Sequence, residues 1–122
     1  MSKLLKFIKG RLRGVGYAYR GAVLLIKTEP SIQVQLIIAI IITIAGFQFQ
    51  ISATEWMLQL FAIGLVMGME GLNTAVEAIA DFIHPDFHSK IGLIKDIAAG
   101  AVFISAVIAV IIGAIIYIPY LL

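Results

Sequence analysis

Three long apolar runs set the strongest limit on what this chain can fold into. They cover residues 32–49, 56–80 and 97–118. A helix needs about 20 mainly apolar residues to cross a hydrocarbon layer of about 30 Å, so each run can form a membrane span. Only 13% of the 122 residues are charged, against about 25% in soluble domains. The sequence predicts a single all-α membrane domain over residues 1–122, with three transmembrane helices.

The segment before the first run is strongly basic. Residues 3–27 place apolar side chains on one helical face and basic ones on another, which predicts an amphipathic helix at the membrane surface. A basic segment beside an apolar run is typical of contact with anionic lipids, and nothing else in the sequence indicates nucleic acid. Seven of the nine basic residues precede Pro30: Lys3, Lys6, Lys9, Arg11, Arg13, Arg20 and Lys27.

The distribution of basic residues also predicts the topology. By the positive-inside rule, the N-terminus and a polar loop over residues 84–94 lie in the cytoplasm. The connection near residue 50 and the C-terminus then lie outside. We therefore expect a multi-pass protein of the bacterial cytoplasmic (inner) membrane.

Local signals mark the ends of the spans. Ser52 and Glu55 have the spacing of a capping box at the start of the second span. Trp56, Tyr117 and Tyr120 are expected at the membrane–water boundary, where aromatic residues are enriched.

The second span carries a polar stripe. Glu70, Asn73, Glu77 and Asp81 are spaced i, i+3, i+7 and i+11, so they fall within about 80° of one another on a helix. Glu70 lies roughly 15 Å along the helix from Asp81. An ionisable group at that depth costs on the order of 3 kcal/mol and usually marks a functional site.

The residue types in and near this stripe suit phosphoryl transfer. Carboxylates are ligands for Mg²⁺ beside phosphates, Lys95 offers a charge for a phosphate oxygen, and a deeper carboxylate suits a proton acceptor. A water-soluble phosphate donor would meet a membrane-embedded alcohol. The sequence has no GxxxxGK[ST] motif and no kinase glycine loop, so a nucleotide site here has another design.

Two hypotheses from other functional classes remain open. Membrane carboxylates also mark proton or ion pathways, and the chain could be a structural membrane subunit without activity. Lys95 could serve only as a topology anchor, and Asp96 only as the N-cap of the third span.

Two runs resemble the signature of the prokaryotic diacylglycerol kinase family: EGLNTAVEAIAD at 70–81 and KDIAAGAV at 95–102. The resemblance extends from Gly16 and Tyr17 through the third span. It implies a Mg-ATP-dependent lipid kinase with three spans and a surface helix. It also implies a homotrimer whose active sites lie between neighbouring chains.

The resemblance implies roles on the lipid side of the site. Glu70 would be the general base that takes the proton of the lipid hydroxyl, and Ala99 would lie near the lipid. Asn73 would support the glutamates, and Asp81 would support the end of its helix.

On the nucleotide side, the resemblance implies that Glu29 and Glu77 hold Mg²⁺ with the ATP phosphates. Lys95 would contact the phosphates. The full set implied to contact ATP is Tyr17, Glu29, Glu77, Asp86, Phe87, His88, Lys95 and Asp96.

The chain departs from the family pattern at three positions. Gln33 and Gln35 occupy a stretch in which members often carry a second acidic residue, and Gly10 stands where some place an arginine. The loop length and residues 86–88 resemble the diacylglycerol branch, so we expect diacylglycerol as the substrate, with undecaprenol as the alternative.

Overall fold

The computed structural model describes residues 2–122, which form four helices. They are α1 (Lys3–Thr28), α2 (Pro30–Gln48), α3 (Ala53–Ile83) and α4 (Ser89–Leu121). The last three are long and apolar enough to cross a membrane. No strand occurs between residues 2 and 122, so the predicted all-α architecture with three spans is confirmed.

The loop expected at 84–94 is shorter than predicted. Helix α4 already begins at Ser89, and residues 89–94 are helical. The His88 side chain caps this helix, because its Nδ1 accepts a hydrogen bond of 3.0 Å from the backbone N–H of Lys90. Asp96 therefore lies inside α4, and the reading of Asp96 as the N-cap of the third span is wrong.

The junction between α1 and α2 is closed by hydrogen bonds to the last carbonyls of α1. The Glu29 N–H donates to the Leu25 carbonyl at 2.9 Å. The Gln33 side chain donates to the carbonyls of Ile26 and Lys27 at 3.1 and 3.2 Å. Such carbonyls have no partner inside their own helix, so Gln33 stabilises the end of α1 from the first turn of α2.

One end of the bundle, which we call the aromatic end, is defined by Phe49, Trp56, Tyr117 and Tyr120. The capping box of α3 is present here, with Ser52 and Glu55 bonded reciprocally. A Cβ atom at Gly46 would lie 2.6 Å from the Trp56 ring, so only glycine allows this approach. Close packing at this end therefore joins the end of α2 to the start of α3.

Tyr117, one of the residues expected at the membrane–water boundary, is buried among the helices at the aromatic end. Its hydroxyl lies 2.5 Å from Gln59 Oε1 and 3.1 Å from the Ile42 carbonyl. The Gln59 amide donates to the same carbonyl at 3.3 Å. This cluster ties α2, α3 and α4 together.

Helix α3 is the centre of the chain, since both α2 and α4 pack along it. Between α2 and α4 lies an apolar crevice of about 480 Å³, which runs from Gln35 to Tyr117. Many large apolar side chains point outward, and Phe82 is 90% exposed. These outward surfaces suit lipid or further protein rather than water.

Candidate active site

The polar stripe of α3 runs from the bundle interior to its surface. Glu70 is 8% exposed and Asn73 is equally buried, whereas Glu77 is half-buried and Asp81 is exposed. The stripe places one carboxylate deep among apolar helices and two nearer the end of α3. We call this region, with Glu29, Glu70, Glu77 and Asp81, the carboxylate end.

Glu70 has a single side-chain partner within residues 2–122. The Gln35 amide of α2 donates a hydrogen bond of 3.1 Å to Glu70 Oε2. The hydroxyl of Thr74 donates to the Glu70 backbone carbonyl at 3.1 Å and does not engage the carboxylate. The orientation of this carboxylate therefore depends on one contact from a neighbouring helix.

Two buried acceptors at this end have no hydrogen-bond partner among residues 2–122: Gln35 Oε1 and Asn73 Oδ1. The Asn73 amide nitrogen donates to Glu77 Oε1 at 3.3 Å, so each of these amides is only half satisfied. Buried polar groups are nearly always paired, and the exceptions often mark places where a ligand or water binds. The unpaired atoms flank Glu70 and Glu77.

A second cavity, of about 300 Å³, lies where α3, the connection after it and α4 meet. Helix α4 contributes Lys95 and Asp96 from its second turn, and the connection contributes residues that were expected near the nucleotide. The lining includes Asp81, Asp86, Phe87, Lys95 and Asp96. Five residues given roles from sequence thus surround one surface cavity.

Lys95 and Asp81 form an ion pair across this cavity, with Lys95 Nζ 2.5 Å from Asp81 Oδ1. Both side chains are more than one-third exposed. Exposed pairs of this kind contribute only about 0–1 kcal/mol. A polyphosphate with several negative charges can therefore draw Lys95 away from Asp81 at little cost.

The single chain does not bring the remaining site residues to this cavity. His88 caps α4 instead of lining the cavity. Tyr17 lies in the middle of α1, 62% exposed, with the Arg20 guanidinium 5.6 Å from its ring centroid. Glu29 is half-buried at the α1–α2 junction, and Ala99 is exposed on α4.

Mg²⁺ was expected at the carboxylates of Glu29 and Glu77. No group of three or more His, Asp or Glu residues within positions 2–122 could hold a metal ion alone. Mg²⁺ at phosphates usually needs only one or two protein carboxylates, because phosphate oxygens and water complete its shell. Glu29 makes no side-chain capping bond, and Glu77 accepts one bond from Asn73. By donor type the two carboxylates fit an ion that arrives with a nucleotide, and neither of them lines the cavity that contains Lys95 and Asp96.

The contact between Gln35 and Glu70 was not predicted from the sequence. Gln35 was expected only as one of two glutamines, with Gln33, in a stretch where family members often carry a second acidic residue. A signal was available, since a polar side chain inside an apolar span usually faces the protein interior and has a use. The sequence pattern did not show that Glu70 would be its partner.

Comparison with known proteins identifies the family. A family model described as prokaryotic diacylglycerol kinase matches residues 16–117. The chain belongs to this family. Its sequence relatives are lipid kinases by name, so the kinase class that the resemblance predicted is supported.

Three relatives of this chain carry the names of two kinds of lipid kinase. The undecaprenol kinase of Bacillus subtilis (strain 168) is 39% identical over 105 residues, which cover 86% of this chain and 85% of the relative. The diacylglycerol kinase of Escherichia coli (strain K12) is 27% identical over 100 residues, 82% of each chain. That of Synechocystis sp. (strain ATCC 27184 / PCC 6803 / Kazusa) is 30% identical over 107 residues, 87% of this chain and 61% of the relative.

Proposed function

We propose that this family member transfers the γ-phosphate of ATP to the hydroxyl of a membrane lipid. The observation that carries the proposal is the position of Glu70: a buried carboxylate whose partner Gln35 lines an apolar crevice. Further along the same helix, Asp81 borders a cavity with Lys95 and Asp96. A lipid alcohol and a soluble phosphate donor can thus approach one helix from different sides.

Binding of the nucleotide depends on charged side chains and on where they lie around the cavity. Lys95 leaves Asp81 to contact phosphate oxygens, and Asp96, Asp86 and Phe87 border the same cavity. Glu29 and Glu77 would hold Mg²⁺ with the phosphates. When bound, this ion neutralises charge on the phosphates, which is the main requirement of phosphoryl transfer.

On the lipid side, Glu70 acts as the general base. It accepts the proton of the lipid hydroxyl as the lipid oxygen forms a bond to the γ-phosphorus. The bond between that phosphorus and the bridging oxygen breaks, and ADP leaves with the electron pair. The products are ADP, a lipid phosphate monoester and a proton that Glu70 later releases to solvent.

We further propose a homotrimer in which neighbouring chains complete each site. In a single chain no residue of α1 is buried, so Tyr17 has no protein surface around it. A Cβ atom at Gly64 or Gly68 would meet no other part of the chain within 4 Å, which leaves room for another helix on that face of α3. A neighbouring copy would cover these surfaces and bring Tyr17 and Glu29 toward the phosphates.

The proposed location is the bacterial cytoplasmic membrane, with α1 on the cytoplasmic surface. A cytoplasmic position of the carboxylate end is supported by the basic residues of α1, together with Lys90 and Lys95, through the positive-inside rule. The aromatic end and the C-terminus then lie outside. This orientation supplies the nucleotide cavity with cytoplasmic ATP.

Diacylglycerol is the first candidate substrate, from the likeness of the segment at 86–88 to that branch of the family. Undecaprenol is the second, favoured by the 39% identity to an undecaprenol kinase against 27% to the Escherichia coli diacylglycerol kinase. Apolar surfaces discriminate weakly between lipid chains, so a direct comparison of the two lipids is needed.

The test is phosphate transfer by purified protein in mixed micelles, with Mg-ATP and either diacylglycerol or undecaprenol. We expect transfer to at least one lipid. Replacing Glu70 with Gln should lower kcat by about 10²- to 10⁴-fold, the usual contribution of a general base, with unchanged thermal stability. The lipid with the higher kcat/KM is the substrate.

Two outcomes would count against this proposal. Transfer to neither lipid by folded, oligomeric protein would exclude the kinase function and direct attention to ion-flux measurements. A Glu70→Gln variant with wild-type kcat would remove Glu70 from the chemistry.

A further inference from the structure

The contact between Gln35 and Glu70 joins α2 to α3, and it also involves the carboxylate that is proposed to accept the lipid proton. We propose that Gln35 is a positioning residue that holds Glu70 in both of its protonation states during the reaction cycle. This inference rests on the proposed function, since it assigns Gln35 a task only if Glu70 accepts the lipid proton.

Before transfer, the Gln35 amide nitrogen donates to Glu70 Oε2 at 3.1 Å. An ionised carboxylate only accepts hydrogen bonds, so the amide presents the complementary group. Since this is the single side-chain contact of the carboxylate within the described chain, it sets the direction of Glu70 Oε1. That oxygen remains available for the lipid hydroxyl.

After transfer, Glu70 carries a proton and needs an acceptor. Gln35 Oε1 is buried and unpaired, and it belongs to the amide already in contact with Glu70. A half-turn of both groups about their terminal torsions, which have broad energy profiles, brings the protonated Oε1 of Glu70 opposite the Gln35 oxygen. The same side chain then accepts from the new carboxylic acid, and neither state leaves Glu70 without a partner.

An amide suits this task better than a carboxylic acid would. A carboxylate opposite Glu70 would be a like charge, and two adjacent carboxylates tend to share one proton. A shared proton would occupy the base before the lipid arrives. An apolar side chain would supply neither donor nor acceptor.

The tests use two replacements of Gln35 and one control. Gln35→Met keeps an unbranched side chain without hydrogen-bonding groups, and Gln35→Glu keeps the shape but removes the donor. Gln48→Met is the control, because Gln48 is exposed at the last residue of the same helix. Each is assayed as full-length protein for kcat, for KM of ATP and of lipid, and for thermal stability.

For Gln35→Met we expect kcat to fall by about 10- to 100-fold, the usual worth of a hydrogen bond to a charged group expressed as a rate. The KM for ATP should stay at the wild-type value, since Gln35 does not line the nucleotide cavity, and the thermal stability should fall only slightly, by the cost of one lost hydrogen bond. The control should match the wild type throughout.

For Gln35→Glu we expect a similar loss of kcat at neutral pH that is partly recovered as the pH is raised, because the shared proton is lost. Gln35→Met should show no such recovery. The other titratable groups on the packed helices are common to all variants, so the difference reports on position 35. At the carboxylate end they include Lys27, Glu29, Glu77, Asp81, Lys90, Lys95 and Asp96.

Three results would overturn the inference. The first is wild-type kcat in Gln35→Met while Glu70→Gln is inactive, which leaves the kinase function intact. The second is a joint change of kcat and KM for ATP with a large loss of stability in Gln35→Met, which shows a purely structural role. The third is a Gln35→Glu profile parallel to the wild type. If the wild type phosphorylates no lipid, this inference and the proposed function fail together.

Discussion

The aromatic end and the carboxylate end of this bundle differ in how completely their buried polar groups are hydrogen-bonded. At the aromatic end, buried Gln59 and Tyr117 and the Ile42 carbonyl satisfy one another, and nearer the surface Glu55 accepts from Tyr120 at 2.6 Å. At the carboxylate end, Gln35 and Asn73 each keep a buried oxygen without a partner. The first arrangement joins three helices, whereas the second leaves capacity for something that binds.

The two ends of α3 therefore contribute differently, one to stability and the other to the proposed chemistry. Its first turns are held by a capping box and by aromatic packing, and its middle and end carry the polar stripe. Stability is thus concentrated away from the proposed chemistry. Substitutions at the aromatic end should change unfolding more than catalysis, and those at the carboxylate end should do the reverse.

Among the substitutions that compare the two ends, the largest effect is expected for Glu77→Gln. Loss of a carboxylate at the proposed magnesium site should raise the Mg²⁺ concentration for half-maximal activity by about 100-fold, since even outer-shell changes cost about 10- to 100-fold. Stability should not change. A Mg²⁺ titration of the kinase activity measures this effect.

The matched control is Glu55→Gln, the same substitution at the aromatic end of the same helix. It should leave the Mg²⁺ titration unchanged and lower the thermal stability slightly, because Gln keeps an acceptor for Ser52 and Tyr120 but loses the negative charge that favours the first turn of a helix. An equal shift of the titration in both variants would contradict the division between the two ends.

A smaller effect is expected for Tyr117→Phe. Removing this hydroxyl takes the donor away from buried Gln59 Oε1, and such a loss costs about 1 kcal/mol in water or in membranes. Unfolding in detergent should show this decrease with unchanged kcat. A large loss of kcat at full stability would instead tie the aromatic end to catalysis.

The smallest effect is expected for Asp81→Asn. It breaks the exposed pair with Lys95, so the free energy of unfolding should change by less than about 1 kcal/mol. The KM for ATP should stay equal or decrease, because Lys95 is freed for phosphate. A clear rise in that KM would show that Asp81 orients Lys95 rather than competing for it.

Much of the fold could be predicted from the hydropathy of the sequence and from the spacing of residues within single helices. Three spans follow from three apolar runs, since helices satisfy all backbone hydrogen bonds inside lipid. The capping box at Ser52 and Glu55 was readable because its four residues are contiguous. The stripe on α3 was readable because a helical period places Glu70 and Glu77 on one face whatever packs against them.

The pairing of Gln35 with Glu70 and the burial of Tyr117 depend on packing between helices. Helices α2 and α4 are apolar on nearly every face, so their sequences do not show which face turns toward α3. The start of α4 at Ser89 depends on the His88 cap, a weak signal in a polar segment. Contacts within one helix follow from its own spacing, whereas contacts between helices depend on rotations that are set when all the helices pack together.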